Sequence, residues 1–274
     1  MVKILTLVHT WTPYENTRAK LIEESWAKDL QDFFFICDSD EFGLTRSINL
    51  GPYPPGPTYH PETVIRIFRL FMSKRFENFD WLYIVDDDTY CFPHKLRHFL
   101  EFYDPGDCLM MGDFLNWPRH HPGHKQDYSS WVGGGPGIVF SRSAVKALLF
   151  YAMKTNLWYY AVKTRSNLLM KLRFQSYGLR SIASALVVHV RQMRHNLRKK
   201  PAFPNHDVWL HELVKRDGSY HVKRIHVPGF HQYGRAALKR YELTSNLIIS
   251  VHLEHDLSLI NRIHTGDSSL RQTD

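Results

Sequence analysis

The chain has 274 residues, 43% of them hydrophobic, which is enough to bury a large core without disulfides or metals to stabilise it. Its 35 Lys and Arg residues exceed its 27 Asp and Glu residues, and the net charge of +8 favours anionic ligands. No helix-turn-helix, zinc-finger or RNP motif accompanies the basic residues, so we expect no nucleic-acid partner. Every apolar run is far shorter than the roughly 18 to 20 residues that cross a bilayer, which predicts a chain without a membrane segment.

The first part of the chain shows a β-α-β order of predicted elements. Residues 3–8 form a β-rich run, residues 18–29 carry apolar side chains on one side of a helix, and Phe33–Cys37 is a second β-rich run. Short connections in this order predict a parallel sheet covered by helices. Residues 51–57 contain four prolines, which remove backbone donors, so this segment is predicted to be a loop.

The middle of the chain continues the alternation of helices and strands. Apolar spacing predicts a helix at residues 61–76, and the wholly apolar run 81–85 predicts a central strand that is buried on both faces. The next predicted elements are a helix at 93–103, a strand at 108–111, a glycine cluster at 133–137 and a helix at 143–151. Residues 151–204 look helical and basic, but their periodicity does not place them in the core. Because no internal repeat or linker is apparent, we expect one α/β domain.

Three consecutive carboxylates, Asp86, Asp87 and Asp88, directly follow the apolar run at 81–85. Adjacent carboxylates repel each other unless a cation neutralises them, and ligand sites in α/β sheets lie at the carboxyl ends of strands. The first and third side chains of such a tripeptide can reach one side together, and their oxygens suit Mg²⁺ or Mn²⁺. The triplet therefore favours a metal site; a solvated acidic turn, or a pair of helix N-caps before Pro93, is the alternative.

Three further features are candidates for a functional site, but each also has an ordinary structural explanation when it is considered alone. The glycines of the 133–137 cluster allow a close approach of the backbone to a ligand, although a tight turn before a strand explains them equally well. Asp207 opens an apolar helical run after Pro204, where an aspartate also serves as an ordinary helix cap. His231 is a single histidine in a predicted loop, and its surroundings in sequence do not by themselves indicate a ligand.

Taken in order, these motifs resemble glycosyltransferase family 31, which includes Fringe and the core 1 β1,3-galactosyltransferases. The resemblance covers most of the chain, and its segments are an opening strand and a helix ending in Ser-Trp at 5–10 and 18–26, a second strand at 34–38, the aspartate-triplet segment at 80–90 and the glycine block at 133–141. It implies a GT-A-type fold for nucleotide-diphospho-sugar transfer, with a Rossmann-like, mostly parallel central sheet and helices on both faces. The expected organisation is one domain, 1–274, with a nucleotide-binding half at 1–90 and an acceptor-binding half at 91–274.

The same resemblance implies roles for individual residues. Asp88 and His231 are expected to ligate the metal, and Asp86 to serve the metal shell or the ribose. Asp207 is expected to be the general base; His206 stands where the family has an acid, which leaves the helper residue open. The residues expected to contact the nucleotide-sugar are Thr10, Arg18, Asp38, Asp86, Asp87, Gly134 and Gly135. Arg18 is equally compatible with a solvated helix position.

The activity implied by the resemblance is an inverting transfer of galactose from UDP-galactose to a glycan hydroxyl, with Mn²⁺ or Mg²⁺ as cofactor and a β-linkage in the product. Three alternatives remain: another donor such as UDP-GlcNAc, a metal-dependent UDP-sugar hydrolase, and a non-catalytic sugar-binding module. A hydrolase would consume the donor without an acceptor. The presence of both Asp207 and His231 argues against a purely binding role, because binding alone needs no base. The expected partners are the UDP-sugar and a carbohydrate acceptor, and the chain could be one module of a larger transferase.

The cysteines and the amino-terminal residues bear on the compartment. Cys37, Cys91 and Cys108 are an odd number without metal-ligand spacing, which predicts three reduced and largely buried thiols. The apolar stretch at 4–8 is too short for a signal peptide. We therefore expect a cytoplasmic location, with the Golgi lumen as the alternative if an anchor preceding this sequence has been removed.

Overall fold

The structure is a computed structural model, and the ranges that it describes are residues 2–28, 30, 32–39, 43–44, 46–51, 61–116, 130–163, 210, 222–232, 238, 248–253 and 256–266. Within these ranges the chain alternates strands and helices, as the sequence predicts. None of the described helices is long and apolar enough to cross a membrane. The three cysteines form no disulfide, and Cys37 and Cys91 are buried.

A mixed central sheet organises the domain. Its strand order is β3-β2-β1-β4-β8-β6-β7, with β9 paired to β6 outside this path. The strands are β1 Ile4–His9, β2 Phe33–Cys37, β3 Ser47–Asn49, β4 Trp81–Asp86, β6 Leu109–Asn116, β7 Ser130–Gly133, β8 Ile138–Ser141 and β9 Lys223–His226. Strands β3, β2, β1 and β4 are mutually parallel, whereas β8 joins β4 antiparallel and β6 joins β8 antiparallel. The parallel half therefore lies in the first part of the chain, where the β-α-β pattern predicts it.

A second, three-stranded sheet packs beside the first. Its order is β10-β11-β5, with β5 at Thr89–Cys91, β10 at Phe230–His231 and β11 at Ser250–His252. Strand β5 begins immediately after the aspartate triplet, and β11 pairs with it antiparallel, so that His252 lies opposite Thr89. This pairing brings the carboxyl-terminal part of the chain to the triplet.

Helices cover both faces of the central sheet. Their bounds are α1 Lys20–Glu24, α2 Pro61–Phe71, α3 Pro93–Leu100, α4 Arg142–Lys163 and α5 Ser258–His264. Successive residues of β4 point to opposite faces: Leu82 and Ile84 join a core cluster with α2 and α4, whereas Tyr83 and Val85 join a cluster with α3 and α5. Both faces of β4 are thus buried, which explains why this strand is apolar throughout.

Several element bounds differ from those that the sequence predicts. The helix predicted at 18–29 begins as a π-helical turn at Glu15–Ala19 and ends at Glu24, because the chain turns there to seat Trp26 in the core. The helix predicted at 61–76 ends at Phe71 and is followed by a 3-10 turn, Lys74–Phe76. The predicted helix 93–103 ends at Leu100, and α4 continues past residue 151 to Lys163. Strand β5 was not predicted, because only its pairing with β11 makes it a strand.

Candidate active site

The site lies where neighbouring strands of the parallel half end. Strands β1 and β4 pair in parallel with His9 opposite Asp86, and β2 ends at Cys37 just before Asp38. Because parallel strands present their carboxyl ends at the same edge of a sheet, the polar residues that follow β1, β2 and β4 meet there. His9 itself is buried, and burial lowers its pKa to about 3, so it is neutral beside the triplet.

Arg18 is a cation that contacts two of the three carboxylates of the triplet. Its Nη1 lies 3.2 Å from Asp87 Oδ1 and 3.4 Å from Asp88 Oδ2. The guanidinium is also stacked on Tyr14, 3.9 Å from the ring centroid, which fixes its position. Arg18 is therefore not a solvated helix residue: it is mostly buried and partly offsets the repulsion between adjacent carboxylates.

Asp87 is buried, and both of its carboxylate oxygens contact protein side chains. Thr10 Oγ1 donates a hydrogen bond to Asp87 Oδ2 at 2.7 Å, and Arg18 contacts the other oxygen. Burial raises the pKa of Asp87 to about 6, although the hydrogen bond from Thr10 and the charge of Arg18 oppose the rise. The middle residue of the triplet thus anchors the carboxyl ends of β1 and β4 to each other.

Asp86, Asp88 and His252 form the group best suited to hold a metal ion among the described residues. One potential ligand atom of each lies within 4.8 Å of the others. His252 Nε2 is 3.3 Å from Asp88 Oδ1, and Asp88 is nearly fully buried. The two carboxylates are oxygen ligands of the kind that Mn²⁺ and Mg²⁺ prefer, and the imidazole adds a nitrogen ligand that transition-metal ions accept more readily than Mg²⁺ does. The residues present therefore fit a divalent cation.

The charge of His252 follows from its neighbours. Burial by itself lowers the pKa of His252, but the hydrogen bond and charge of Asp88, with the charge of Asp86 and the carbonyl of Gln232, outweigh it and raise the pKa to about 9. In the metal-free protein the imidazole is therefore protonated at neutral pH. A proton on Nε2 occupies the position from which that nitrogen would bind a metal.

The glycine cluster makes room for this arrangement. A Cβ on Gly135 would lie 2.6 Å from Cγ of His252, and the Gly135 carbonyl accepts a hydrogen bond from Thr89 Oγ1 at 2.7 Å. Gly137 has a φ of +97°, and a Cβ there would clash with the Tyr83 ring. The Gly134 carbonyl accepts the Gly137 N–H at 2.9 Å, which closes a tight turn. In this structure the glycines serve the packing of His252 and Tyr83 and the turn before β8; a contact of Gly134 or Gly135 with phosphate stays a prediction.

The histidine beside the triplet differs from the one predicted from the sequence. His231 ends β10 and pairs with Val251, and it does not belong to the group formed by Asp86, Asp88 and His252. The reason is the pairing of β11 with β5, which carries His252 to the residue that follows Asp88. The local sequence gives little signal for His252, because the run before it, residues 248–251, is already interrupted by Ser250.

The remaining predicted site residues divide into two groups. Asp38 lies at the end of β2, where its Oδ1 accepts hydrogen bonds from Thr12 N–H and from Thr12 Oγ1 at 2.6 Å. With Thr10 and Arg18 it lies near the strand ends next to the triplet; a contact of these residues with a nucleotide stays a prediction. His206 and Asp207 lie outside the described residues. Trp26 Nε1 donates to the Thr89 carbonyl at 2.9 Å, which gives the Ser-Trp pair of the opening helix a structural role.

Comparison with known proteins finds two mammalian relatives that are similar over about half of the chain. The mouse protein named beta-1,3-glucosyltransferase is 29% identical over 147 residues, which are 54% of this chain and 29% of that protein. Its human counterpart is 28% identical over 146 residues, covering 53% of this chain and 28% of that protein. The match thus spans less than a third of the length of these relatives.

Solved structures with a related arrangement share little sequence. A glycosyltransferase involved in the glycosylation of the major capsid of PBCV-1 is 12% identical, with a TM-score of 0.45 over 96% of this chain and 99% of that one. The galactosyltransferase LgtC, in complex with donor and acceptor sugar analogues, is 12% identical with a TM-score of 0.35 over 55% of this chain and 64% of that one.

The family assignment rests on a longer match. The profile of Fringe-like proteins matches residues 1–174, which is more than half of the chain and includes the strand ends, the aspartate triplet and the glycine cluster. The central α/β sheet, with helices on both faces, agrees with the GT-A-type fold predicted for such a protein. The chain therefore belongs to the Fringe-like group of glycosyltransferase family 31.

Proposed function

We propose that the protein is a metal-dependent glycosyltransferase that moves a hexose from a UDP-sugar to a hydroxyl of a glycan, with inversion at the anomeric carbon. The observation that carries this proposal is the group of Asp86, Asp88 and His252 at the carboxyl ends of the parallel strands. Its supports are membership of the Fringe-like family and the similarity to the two mammalian proteins named as glucosyltransferases.

In this proposal Asp86, Asp88 and His252 hold a Mn²⁺ or Mg²⁺ ion, which when bound neutralises the charge that develops on the departing diphosphate. Arg18 lies against the same carboxylates and is placed to add positive charge on the nucleotide side. Asp38 and Thr10, at the ends of β2 and β1, are the proposed uridine-side residues. The halves at 1–90 and 91–274 then serve the donor and the acceptor.

Asp207 is the proposed general base. It removes the proton of the acceptor hydroxyl as that oxygen attacks the anomeric carbon and UDP leaves, so that one displacement inverts the configuration. General-base assistance of this kind contributes on the order of 10²- to 10⁴-fold. The family position of Asp207 supports this role, and its neighbour His206 replaces the second acid of the family motif.

The sequence motifs and the names of the relatives imply different donor hexoses. The resemblance of the sequence motifs implies galactose, whereas the relatives are named as glucosyltransferases. These sugars differ only in the configuration of one hydroxyl, at C4, so one or two hydrogen-bonding groups at the donor sugar suffice to choose between them. We propose a UDP-hexose donor, with glucose favoured by the names of the relatives.

The test of the proposal is a donor and acceptor screen. UDP release would be measured for UDP-glucose, UDP-galactose and UDP-GlcNAc with Mn²⁺, with and without a set of saccharide acceptors, and the anomeric configuration of the product would be read by NMR. A transferase releases UDP much faster when an acceptor is present, and an inverting one forms a β-linkage. Donor consumption that is indifferent to every acceptor would favour a hydrolase, and donor binding without turnover would favour a sugar-binding module.

The pH dependence of metal binding gives a second test. Raising the pH from about 6 to about 8 is expected to strengthen Mn²⁺ binding by up to about tenfold per pH unit, because the metal must displace a proton from His252. The sign follows from the raised pKa of about 9: the imidazole is protonated throughout this window, and the competition declines only as the pH approaches 9. Calorimetry at several pH values measures it, and the control variant His231→Gln, which keeps His252, should show the same profile as the parent protein. An affinity in the parent protein that is independent of pH would contradict the assignment of His252.

A further inference from the structure

We propose that Asp113 and Gln232 form a positioning layer that holds the His252 ring with Nε2 directed at Asp88. The inference rests on the proposed function for the role of His252 as a metal ligand. Its structural content is independent of that role, because it concerns the orientation of one imidazole in the metal-free protein.

The main chain of Gln232 links the two side chains. Asp113 lies near the middle of β6, and its Oδ2 accepts a hydrogen bond from the backbone N–H of Gln232 at 3.0 Å. The carbonyl oxygen of the same residue lies 3.1 Å from His252 Nδ1. A carbonyl oxygen can only accept, so Nδ1 carries the proton in this contact. The other nitrogen, Nε2, then faces Asp88 Oδ1 at 3.3 Å, and it is the nitrogen that a metal would bind in place of a proton.

The side chain of Gln232 contacts the same ring nitrogen. Its Nε2 lies 3.2 Å from His252 Nδ1, while its Oε1 is buried and has no hydrogen-bond partner in the described part of the chain. Two donors facing each other do not form a hydrogen bond. The two ends of an amide have nearly the same shape, so the opposite amide orientation places Oε1 against Nδ1 and gives that proton a second acceptor.

The glycine cluster lies close to the side chains of Gln232 and His252. A Cβ on Gly133 would clash with the Gln232 side chain, and a Cβ on Gly135 would lie 2.6 Å from the His252 ring. Gly135 therefore leaves the space that the His252 ring occupies, whereas the atom met first at Gly133 is the end of a flexible side chain. Partners that orient a ligating histidine commonly change metal affinity about 10- to 100-fold when they are lost.

Two histidines, His226 and His231, also lie near Asp113, and the geometry of the His226 contact argues against a role there. His226 Nδ1 lies 3.8 Å from Asp113 Oδ1, but that nitrogen is 3.2 Å from the Phe114 N–H and accepts its hydrogen bond. A nitrogen that accepts this bond has no proton to donate to Asp113. The His226 side chain is also 54% exposed, whereas that of Asp113 is 16% exposed. The contact of Asp113 that orders the site is therefore the one with Gln232.

The experiment compares Asp113→Ala, Asp113→Asn and the control His226→Gln, which removes the histidine whose contact with Asp113 is described above. The first readout is the Nδ1–H signal of His252 in metal-free protein with ¹⁵N-labelled histidine, assigned by its loss in His252→Gln. It should be sharp in the parent, in Asp113→Asn and in His226→Gln, because the Gln232 contact protects the proton, and it should broaden in Asp113→Ala. Asparagine rescues because its amide oxygen still accepts the Gln232 N–H.

The second readout is Mn²⁺ affinity, measured by electron paramagnetic resonance without nucleotide. Asp113→Ala should raise the dissociation constant about tenfold or more, and Asp113→Asn by no more than about threefold, because an uncharged acceptor keeps most of the hydrogen bond. Where the alanine variant does not fold, Asp113→Ser, whose hydroxyl is too short to reach Gln232, takes its place with the same two readouts.

The two readouts separate this inference from the proposed function. A folded Asp113→Ala protein with a sharp His252 signal would overturn the positioning layer, whatever its Mn²⁺ affinity. A parent protein that binds no Mn²⁺ would remove the metal from the proposed function, and the His252 signal would then decide the positioning layer alone.

Discussion

Asp88→Ala and His252→Gln proteins are expected to bind UDP equally well in Mn²⁺ and in EDTA, whereas the parent protein binds UDP more tightly when Mn²⁺ is present. Both residues belong to the group that fits a divalent cation, and Asp88 is almost fully buried there. Removing one of three protein ligands is expected to weaken Mn²⁺ binding by more than the roughly 10- to 100-fold lost when only an orienting partner is removed. Isothermal calorimetry of UDP binding in the two conditions measures the effect.

The matched control for His252→Gln is His231→Gln. The family motifs point to His231 as the ligand, while the structure places His252 beside the two aspartates. We expect His231→Gln to keep the Mn²⁺ enhancement of UDP binding. The reverse result, in which His231→Gln loses it and His252→Gln keeps it, would return the ligand role to His231. If the parent protein binds UDP with the same affinity in both conditions, the metal has no part in the reaction.

Asp207→Asn is expected to lower kcat by roughly 10²-fold or more while leaving UDP-sugar binding nearly unchanged. The substitution removes the proton acceptor with almost no change of shape. A helix cap would respond differently, because asparagine caps a helix about as well as aspartate does. Steady-state transfer rates, together with donor affinity from calorimetry, therefore distinguish a base from a cap.

The same chain segment offers a control for Asp207. Glu212→Gln makes the equivalent carboxylate-to-amide change five positions further along. We expect Glu212→Gln to retain close to the parent kcat. That result would show that the loss of kcat is specific to Asp207 and does not follow from removing any carboxylate in this region. If Asp207→Asn folds, binds donor and still transfers at near the parent rate, Asp207 is not the base, and the inverting mechanism requires another carboxylate.

The aspartate triplet shows how much of the site is encoded locally. An apolar run that ends abruptly in three acids describes a buried parallel strand and its carboxyl end, and both are properties of adjacent residues. The same is true of Thr10 and Asp38, which follow the ends of β1 and β2 directly. Since parallel strands bring these ends to one edge, the proximity of these polar residues to the triplet could be predicted before any coordinates.

The role of Arg18 and the function of the glycines needed tertiary structure. A lone arginine in a helical stretch reads equally well as a solvated residue, and only the packing of the opening helix against β4 places its guanidinium on Asp87 and Asp88. Gly135 allows close approach, as its residue type predicts. In the structure the ring of His252 lies close to Gly135, and no local sequence pattern predicts this contact.

From the sequence alone, the order of strands and helices, the parallel first half, the carboxylate side of the metal group and the family could be determined, because each depends on residues that are near one another in the chain. The histidine of that group and the layer behind it were decided only by the tertiary structure. His252 reaches Asp88 because β11 pairs with β5, and Gln232 reaches Asp113 because β10 lies beside β6. Pairing between strands so distant in sequence leaves little trace in local periodicity, since an apolar run predicts that a strand is buried but not which strand it will pair with.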